Sequence, residues 1–391
     1  MSAPLRLGVI GLGRAFTLML PTLTGHPNVK LVAATDPRAE ARDRFALDFR
    51  GTGHETAEAL CSDPSVQAVY VASPHQFHVE HVRLAAANGK HVLVEKPMAL
   101  TVADCQAMIE AARAAGVHLL VGHSHSFDLP YLRARELIQS GRFGQVRMIN
   151  ALNFTDFLYR PRRPEELDTR AGGGVVFSQA AHQIDVVRLL AGTPALSVQA
   201  RTGAWDAARP TEGAYTAHID FEGGAFASLT YSGYGRFDTD EFNGWSGELG
   251  QQRDPEQYGT ARRALKQVRT VEEEIALKNR RAYGPAGSDA FGGHAMLNHN
   301  HFGFVLASCE HADLRPMPSG IMIYGNETRI LDPLAAPAVP RAEVVDELFE
   351  AVVNDVPPLH SGEWGLATLE LCLAILRSAS QSEPVRLQHQ R

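Results

Sequence analysis

The chain has 391 residues, 45% of them hydrophobic and 21% charged, which predicts two globular domains and excludes a disordered or fibrous protein. Lys and Arg number 37 against 44 Asp and Glu, a net charge of −7 with no dense basic block, so nucleic acid is not the expected partner. No run approaches the ~20 apolar residues that span a bilayer.

From the N-terminus, Leu5–Ile10, Val29–Ala34, Ala68–Ala72, His91–Glu95 and Val117–Val121 read as short apolar strands. Helical patterns fill the gaps at Ala15–Thr24, Pro37–Phe45, Phe77–Ala87 and Val102–Ala115. This alternation predicts βαβ units and a parallel sheet, hence an α/β fold over residues 1–124. After Gly122 the rhythm changes. A helix at Tyr131–Ser140 leads to a long strand, Gln145–Phe154, and further strands are read at Leu196–Thr202, Ala214–Phe221, Ala225–Tyr234 and Gly320–Tyr324. Tight turns such as Glu222-Gly223-Gly224 predict an antiparallel sheet, interrupted by one helix near Gly174–Leu190. Residues 125–391 are expected to form this second, α+β domain. Within them, 238–300 is polar, with a charged helical stretch at Pro255–Arg281, and reads either as a solvated insertion or as a flap. Arg341–Asn354 and Trp364–Ser380 read as amphipathic helices. Cys61, Cys105, Cys309 and Cys372 are widely spaced, predicting free thiols and a reducing, cytoplasmic setting, and no signal-peptide pattern is read.

Gly11-Leu12-Gly13-Arg14-Ala15-Phe16 follows the first strand and opens a helix. Gly11 permits the tight turn, and Gly13 lets the backbone approach a pyrophosphate that the helix N-terminus stabilises. The third position of the fingerprint is Phe16 rather than Gly or Ala. Asp36 ends the second strand, where a carboxylate accepts from adenosine ribose hydroxyls and repels a 2′-phosphate. Arg38 beside it blunts that preference, so NAD is expected with NADP as the alternative. Asp36-Pro37 is equally suited to start a helix.

Glu95-Lys96-Pro97 follows the fourth strand, at the carboxyl edge where ligands of open α/β sheets bind. Ser73, Pro74, His75 and His78 occupy the same edge after the third. The second cluster runs from Gly172-Gly173-Gly174 through Ser178 and His182 to Asp185. On an α-helix these three polar residues share a face, which suits either a satisfied core network or a catalytic group.

Taken together, Gly11-x-Gly13, Asp36, Ser73-Pro74, Glu95-Lys96-Pro97 and the glycine-led helix with His182-x-x-Asp185 resemble the Gfo/Idh/MocA oxidoreductase family. The resemblance implies an N-terminal Rossmann domain, a C-terminal α+β domain with an open, mostly antiparallel sheet, catalytic roles for Lys96 and His182, and a homo-oligomer, dimer or tetramer. The chain departs from the family in carrying Ser178 where an aspartate is usual, His75 after Pro74, and Ser126 before Phe127. Hydride transfer then needs a base for the hydroxyl proton, a role that suits histidine, while Lys96 stabilises the oxygen.

Tyr159 to Arg170 carries Arg160, Arg162, Arg163 and Arg170 into the glycine-led helix. Guanidinium groups bind carboxylates in pairs of hydrogen bonds, so Arg160 and Arg163 point to an anionic small-molecule substrate, unless they serve a surface loop paired with Glu165, Glu166 and Asp168. With Phe177–Gln183 and His301–Phe304, the stretch is similar to the phthalate 4,5-cis-dihydrodiol dehydrogenase branch. The expected substrate is therefore a cis-dihydrodiol of an aromatic carboxylate, with a sugar or cyclic polyol as the alternative and a non-catalytic dinucleotide-binding regulator as another class. His123, Ser178 and His301 join the expected substrate contacts. His123 with His125, or His294, His299 and His301, form no recognised metal spacing, and no metal is expected.

Overall fold

A computed structural model describes residues 3–284 and 298–390. The described chain divides into two compact units. The first comprises 3–123, 276–284 and 339–369; the second comprises 124–275, 298–338 and 370–390.

The first unit is built on six parallel strands: β1 (Leu5–Ile10), β2 (Val29–Thr35), β3 (Thr52–His54), β4 (Ala68–Val71), β5 (His91–Val94) and β6 (Leu119–Val121). Their order in the sheet is β3-β2-β1-β4-β5-β6. Helices α1 (Arg14–Gly25), α2 (Ala39–Phe49), α3 (Ala57–Ser62), α4 (His78–Ala87) and α5 (Val102–Ala115) make the crossovers. Because helices cover both faces, the central strands are apolar on consecutive residues: Val69, Tyr70, Val71, Val92 and Val94 are all fully buried. The strand order reverses between β1 and β4, so a ligand crevice opens at the carboxyl ends of those strands.

In the second unit come α6 (Leu129–Gln139), β7 (Val146–Phe154), α7 (Ala181–Ala191), β8 (Ala195–Gly203), β9 (Ala214–Phe221) and β10 (Phe226–Ser232). After α8 (Thr260–Leu265) and α9 (Val271–Asn279) follow β11 (Phe304–Cys309), β12 (Asp313–Met317), β13 (Gly320–Tyr324) and β14 (Arg329–Pro333). The chain ends with α10 (Ala342–Asn354), α11 (Gly362–Gln381) and β15 (Val385–Arg386). The nine strands of the second unit form one sheet, β14-β13-β12-β11-β7-β10-β9-β8-β15, antiparallel except where β10 runs parallel to β7. In β9, Tyr215, Ala217, Ile219 and Phe221 point inward while Thr216, His218 and Asp220 point to solvent, the period-two pattern of a sheet covered on one face.

Three sequence expectations differ from this architecture. Residues after 124 were expected to lie wholly in the second domain, yet 276–284 and 339–369 belong to the first unit. α10 shows why: its buried stripe Val344, Val345, Leu348 and Phe349 needs an apolar partner and packs on α1 and β1. There Thr22 Oγ1 donates to Pro340 O at 2.6 Å and His26 bonds Asp346 at 3.1 Å. The charged stretch Pro255–Arg281 is not one helix but α8 and α9 separated by a break, and neither buries a side chain fully. Without an apolar stripe, nothing fixes a long helix there. β3, β11, β12, β14, β15 and the short helix α3 were not expected; none exceeds six residues, and Pro316 lies within β12. Residues 285–297, including His294 and part of the 238–300 stretch, lie outside the described residues. Among the described residues no helix is long and apolar enough to cross a membrane.

Candidate functional site

In the first unit, β1 is followed by Gly11, whose φ is +96°; an added Cβ would lie 2.8 Å from Ala72 O and Ser73 N. Only glycine lets the ends of β1 and β4 close so tightly. A Cβ built on Gly13 meets nothing within 4 Å, so the backbone there is open to approach by a ligand. Gly13 starts α1 without a side-chain cap, leaving the first helical N–H groups to an incoming anion. Leu12 N donates to Asp36 Oδ2 at 2.8 Å, which ties the loop to the end of β2. Glycine loop, uncapped helix and strand-end carboxylate together fit a dinucleotide.

Several residues expected at this site do other work. Phe16 is fully buried and packs on Phe45 and Tyr283, so the odd third fingerprint position is a core contact, not a cofactor contact. His78 is 1% exposed; its Nε2 bonds Ser73 O at 2.9 Å and its Nδ1 lies 3.2 Å from Pro97 O and Met98 O. Burial pulls the His78 imidazole down to about 4, despite those carbonyls. It is a neutral strut between the loops after β4 and β5. Glu95 takes the Tyr70 hydroxyl at 2.5 Å and the Lys96 backbone N–H at 3.3 Å. Burial pushes its carboxyl above the usual range, against the pull of Tyr70 and Lys96. Glu95 therefore holds the chain that carries Lys96 rather than facing the crevice. Ser73, Pro74 and His75 lie on the loop after β4, where Ser73 Oγ contacts His81 Nδ1 at 2.9 Å. His123, just past β6, is buried.

In the second unit the glycine run delivers His182. Gly174 has φ +81°, and a Cβ there would collide with the Glu212 carboxylate, which accepts the Val176 N–H at 3.1 Å. One wide π-type turn, Val176–Ala180, then feeds α7. The expected α-helical face of Ser178, His182 and Asp185 is thus altered by that turn, and Asp185 lies 3.7 Å from Arg188. His182 is 6% exposed; its ring centroid is 4.8 Å from that of His125, edge to face, and 5.2 Å from that of Phe302.

His125 was named in the sequence only beside His123, in a spacing from which no metal was expected, and was given no role. It is fully enclosed, with Nδ1 2.5 Å from Asp128 Oδ2 and Nε2 3.3 Å from Glu248 Oε1. Burial disfavours its charge, but the two carboxylates outweigh that and raise its pKa. Burial would likewise raise Glu248; the His125 hydrogen bond and the charges of His125 and Arg160 hold it down to about 2. His182 therefore packs beside a preorganised charged pair. Glu248 comes from the polar stretch after Asp238, and through it that segment reaches the surroundings of His182.

The arginines divide. Arg160 Nε donates to Asp156 at 2.9 Å, and among the described residues no hydrogen bond involves its two terminal nitrogens. Burial opposes its charge, yet Asp156 and Glu248 raise its pKa. Arg162 is spent internally: it stacks 3.5 Å over the Phe157 ring and donates to Phe157 O at 2.8 Å, and burial lowers it to about 10. Arg163 opens the short turn Pro164–Leu167, its N–H bonded to Glu166 at 2.8 Å. His301, expected against substrate, is 2% exposed and satisfied at both nitrogens: Nε2 donates to Ser246 O at 2.8 Å, and Nδ1 accepts from Gly303 N and Asn243 Nδ2 at 3.1 Å. It pins the 238–250 segment. Sequence reasoning missed His125 as a neighbour of His182 and missed Glu248 entirely, and it singled out Phe302 only as part of the His301–Phe304 stretch, with no role beside His182. The His123-x-His125 repeat was the one available signal.

Two family models match. The Gfo/Idh/MocA oxidoreductase family model, an NAD-binding Rossmann fold, covers residues 5–123, and the Gfo/Idh/MocA C-terminal domain model covers 131–244. Among curated proteins, the chain is 49% identical over 374 residues to the 1-carboxy-3-chloro-3,4-dihydroxycyclohexa-1,5-diene dehydrogenase of Comamonas testosteroni, covering 95% of this chain and 94% of the relative. It is 32% identical over 191 residues to the myo-inositol 2-dehydrogenase of Thermotoga maritima, covering 48% and 55%. A crystal structure from Bordetella bronchiseptica RB50, assigned as a dehydrogenase, superposes with a TM-score of 0.92 at 42% identity, over 98% of this chain and all of that one.

Proposed function

The chain belongs to the Gfo/Idh/MocA family of NAD-binding oxidoreductases and is an NAD-dependent dehydrogenase; from that premise we propose that its substrate is the cis-dihydrodiol of an aromatic carboxylate. Phthalate 4,5-cis-dihydrodiol, oxidised to 4,5-dihydroxyphthalate, is the specific member we put forward. One observation carries the substrate reading: 49% identity along almost the whole chain to a dehydrogenase of a carboxylated dihydroxycyclohexadiene. Arg160 supports it, because a guanidinium with terminal nitrogens to spare matches a carboxylate.

The cofactor supplies a hydride acceptor at its nicotinamide. The loop Gly11–Gly13 and Asp36 would hold it, through backbone N–H groups, the α1 N-terminus and the strand-end carboxylate. In the second unit His182 takes the proton of the substrate hydroxyl while that carbon becomes a carbonyl. The His125 ring and Phe302 fix the orientation of the His182 ring and shield it from water. Lys96 donates to the same oxygen and stabilises its developing negative charge. The hydroxy-ketone formed tautomerises to a catechol, so aromatisation draws the reaction toward oxidation. Arg160, with Arg163 as a second candidate, grips the carboxylate.

We further propose a homodimer or homotetramer in the cytoplasm. The second unit's sheet exposes Leu196, Phe226 and Ile330 at 44%, 47% and 52%, apolar surface suited to a second copy. The four cysteines are free thiols, in keeping with a reducing compartment.

The test is NADH formation with the phthalate dihydrodiol, a monocarboxylated dihydrodiol, unsubstituted benzene cis-dihydrodiol and myo-inositol, each with NAD and with NADP. Highest kcat/KM on a carboxylated dihydrodiol with NAD supports the reading. Preference for the polyol would replace it, and cofactor binding with no turnover on any substrate would make the protein a dinucleotide-binding regulator.

A further inference from the structure

The segment 276–284 belongs to the first unit and carries Tyr283, which is 2% exposed. Tyr283 is bonded at three points, to the glycine loop, to Arg38 after β2 and to Asp48 in α2. Its N–H donates to Leu12 O at 3.1 Å, its carbonyl accepts from Arg38 Nη1 at 3.0 Å, and its hydroxyl donates to Asp48 Oδ2 at 2.6 Å. Its ring meets Phe16 edge-on, with centroids 5.3 Å apart.

The consequence falls on Arg38. Its guanidinium is stretched across three acceptors: Nε to Asp36 Oδ1 at 2.9 Å, Nη2 to Asp36 Oδ2 at 3.2 Å and to Leu12 O at 2.9 Å, and Nη1 to Tyr283 O. In a Rossmann fold an arginine near the end of the second strand is the group that accommodates a 2′-phosphate. Here that arginine is folded back onto the carboxylate and held by two backbone carbonyls, one of them from a residue 245 positions away. Asp36 in turn receives Leu12 N, Arg38 N and the Arg38 fork. A ribose hydroxyl can displace one guanidinium N–H from Asp36, because Leu12 O and Tyr283 O keep Arg38 partnered. A 2′-phosphate finds a carboxylate and no released donor.

We propose that Tyr283 is a specificity-determining residue: by latching Arg38 to the glycine loop it makes the site select NAD over NADP. The selection is thus not a property of Asp36 alone, and it depends on a segment far from the fingerprint in sequence. The inference rests on the dinucleotide site and is independent of the substrate proposed above.

The experiment is direct titration of purified protein with NADH and with NADPH, followed by nucleotide fluorescence without substrate, with folding checked by circular dichroism. Tyr283→Ala keeps the backbone carbonyl but removes the ring packed on Phe16 and the hydroxyl bonded to Asp48, the contacts that seat it; with that carbonyl no longer held on Arg38, NADPH affinity should rise relative to NADH by about tenfold, the worth of one charge-assisted hydrogen bond. Adding Arg38→Ala to that variant should erase the gain, and Tyr283→Phe, which keeps the ring packing that seats the carbonyl, should not produce it. Arg38→Lys leaves Tyr283 in place but cannot span the three acceptors, and it should move the ratio in the same direction even if Tyr283→Ala does not fold. An unchanged ratio in folded Tyr283→Ala, or weaker NADPH binding in Arg38→Lys, overturns the proposal.

Discussion

Replacing Arg160 probes the substrate reading at the residue where the structure is most explicit. Its Nε is committed to Asp156, so the terminal nitrogens alone are offered to a carboxylate. A hydrogen bond between charged partners contributes about 1.5–3 kcal/mol. The Arg160 side chain is 36% exposed, so solvent screens part of that, leaving about 1–2 kcal/mol, a rise of about 5- to 30-fold in KM. Arg160→Gln should therefore raise KM for a carboxylated dihydrodiol by that factor and leave KM for benzene cis-dihydrodiol within about twofold. Arg160→Lys keeps the charge but not the fork and should fall between. Initial rates of NADH formation on both substrates provide the assay. Equal increases on the charged and the neutral diol would show that Arg160 only braces Asp156 and Glu248, and would remove the carboxylate clamp from the account.

Three further outcomes follow from the geometry. His182→Ala should lower kcat by about 10²–10⁴ while NADH binding by fluorescence titration changes little; unaltered turnover would take His182 out of the chemistry. Glu248→Gln strips buried His125 of one of its two carboxylates, so thermal stability at neutral pH should fall by about 1–3 kcal/mol, and a neutral result would mean Asp128 alone suffices. Because Glu248 is held down to about 2, its contribution persists above the usual carboxylate range and is lost only as pH falls toward 2. His78 titrates lower in the folded than in the unfolded chain, so the unfolded state binds the extra proton between the two values, and stability drops as pH falls from 6.5 to about 4. That displacement corresponds to about 3 kcal/mol, and it should show as an acid-side loss in urea midpoints that His78→Gln lacks.

The first unit's sheet was legible because its chemistry is local. Leu5–Ile10 and His91–Val94 are apolar runs closed by turns, and the glycine loop follows its strand directly in the sequence. Asp36 could be placed at a strand end for the same reason. What escaped was long-range. Phe16 looked like a flawed fingerprint until Phe45 and Tyr283 were seen to enclose it. α10 reads as amphipathic, but an apolar stripe does not say which core it covers. The surroundings of His182 come from a short 3-10 turn and from loops, at His125, Glu248 and Phe302, whose separations in the chain carry no period. Equally, the run of arginines pointed to Arg160 and Arg163 without a physical reason to leave out Arg162; the Phe157 ring and carbonyl supply that reason.

The central claim is NAD-linked oxidation of a carboxylated diol, with His182 and Lys96 as the groups that handle its hydroxyl. The most direct measurement is the stoichiometry of turnover on a carboxylated cis-dihydrodiol, following NADH by absorbance and the catechol by chromatography, for the wild type, His182→Ala and Lys96→Met. The account predicts one NADH per catechol for the wild type and a loss of both products together in each variant, with NADH binding retained. Catechol formed without NADH, or full turnover in either variant, would contradict it.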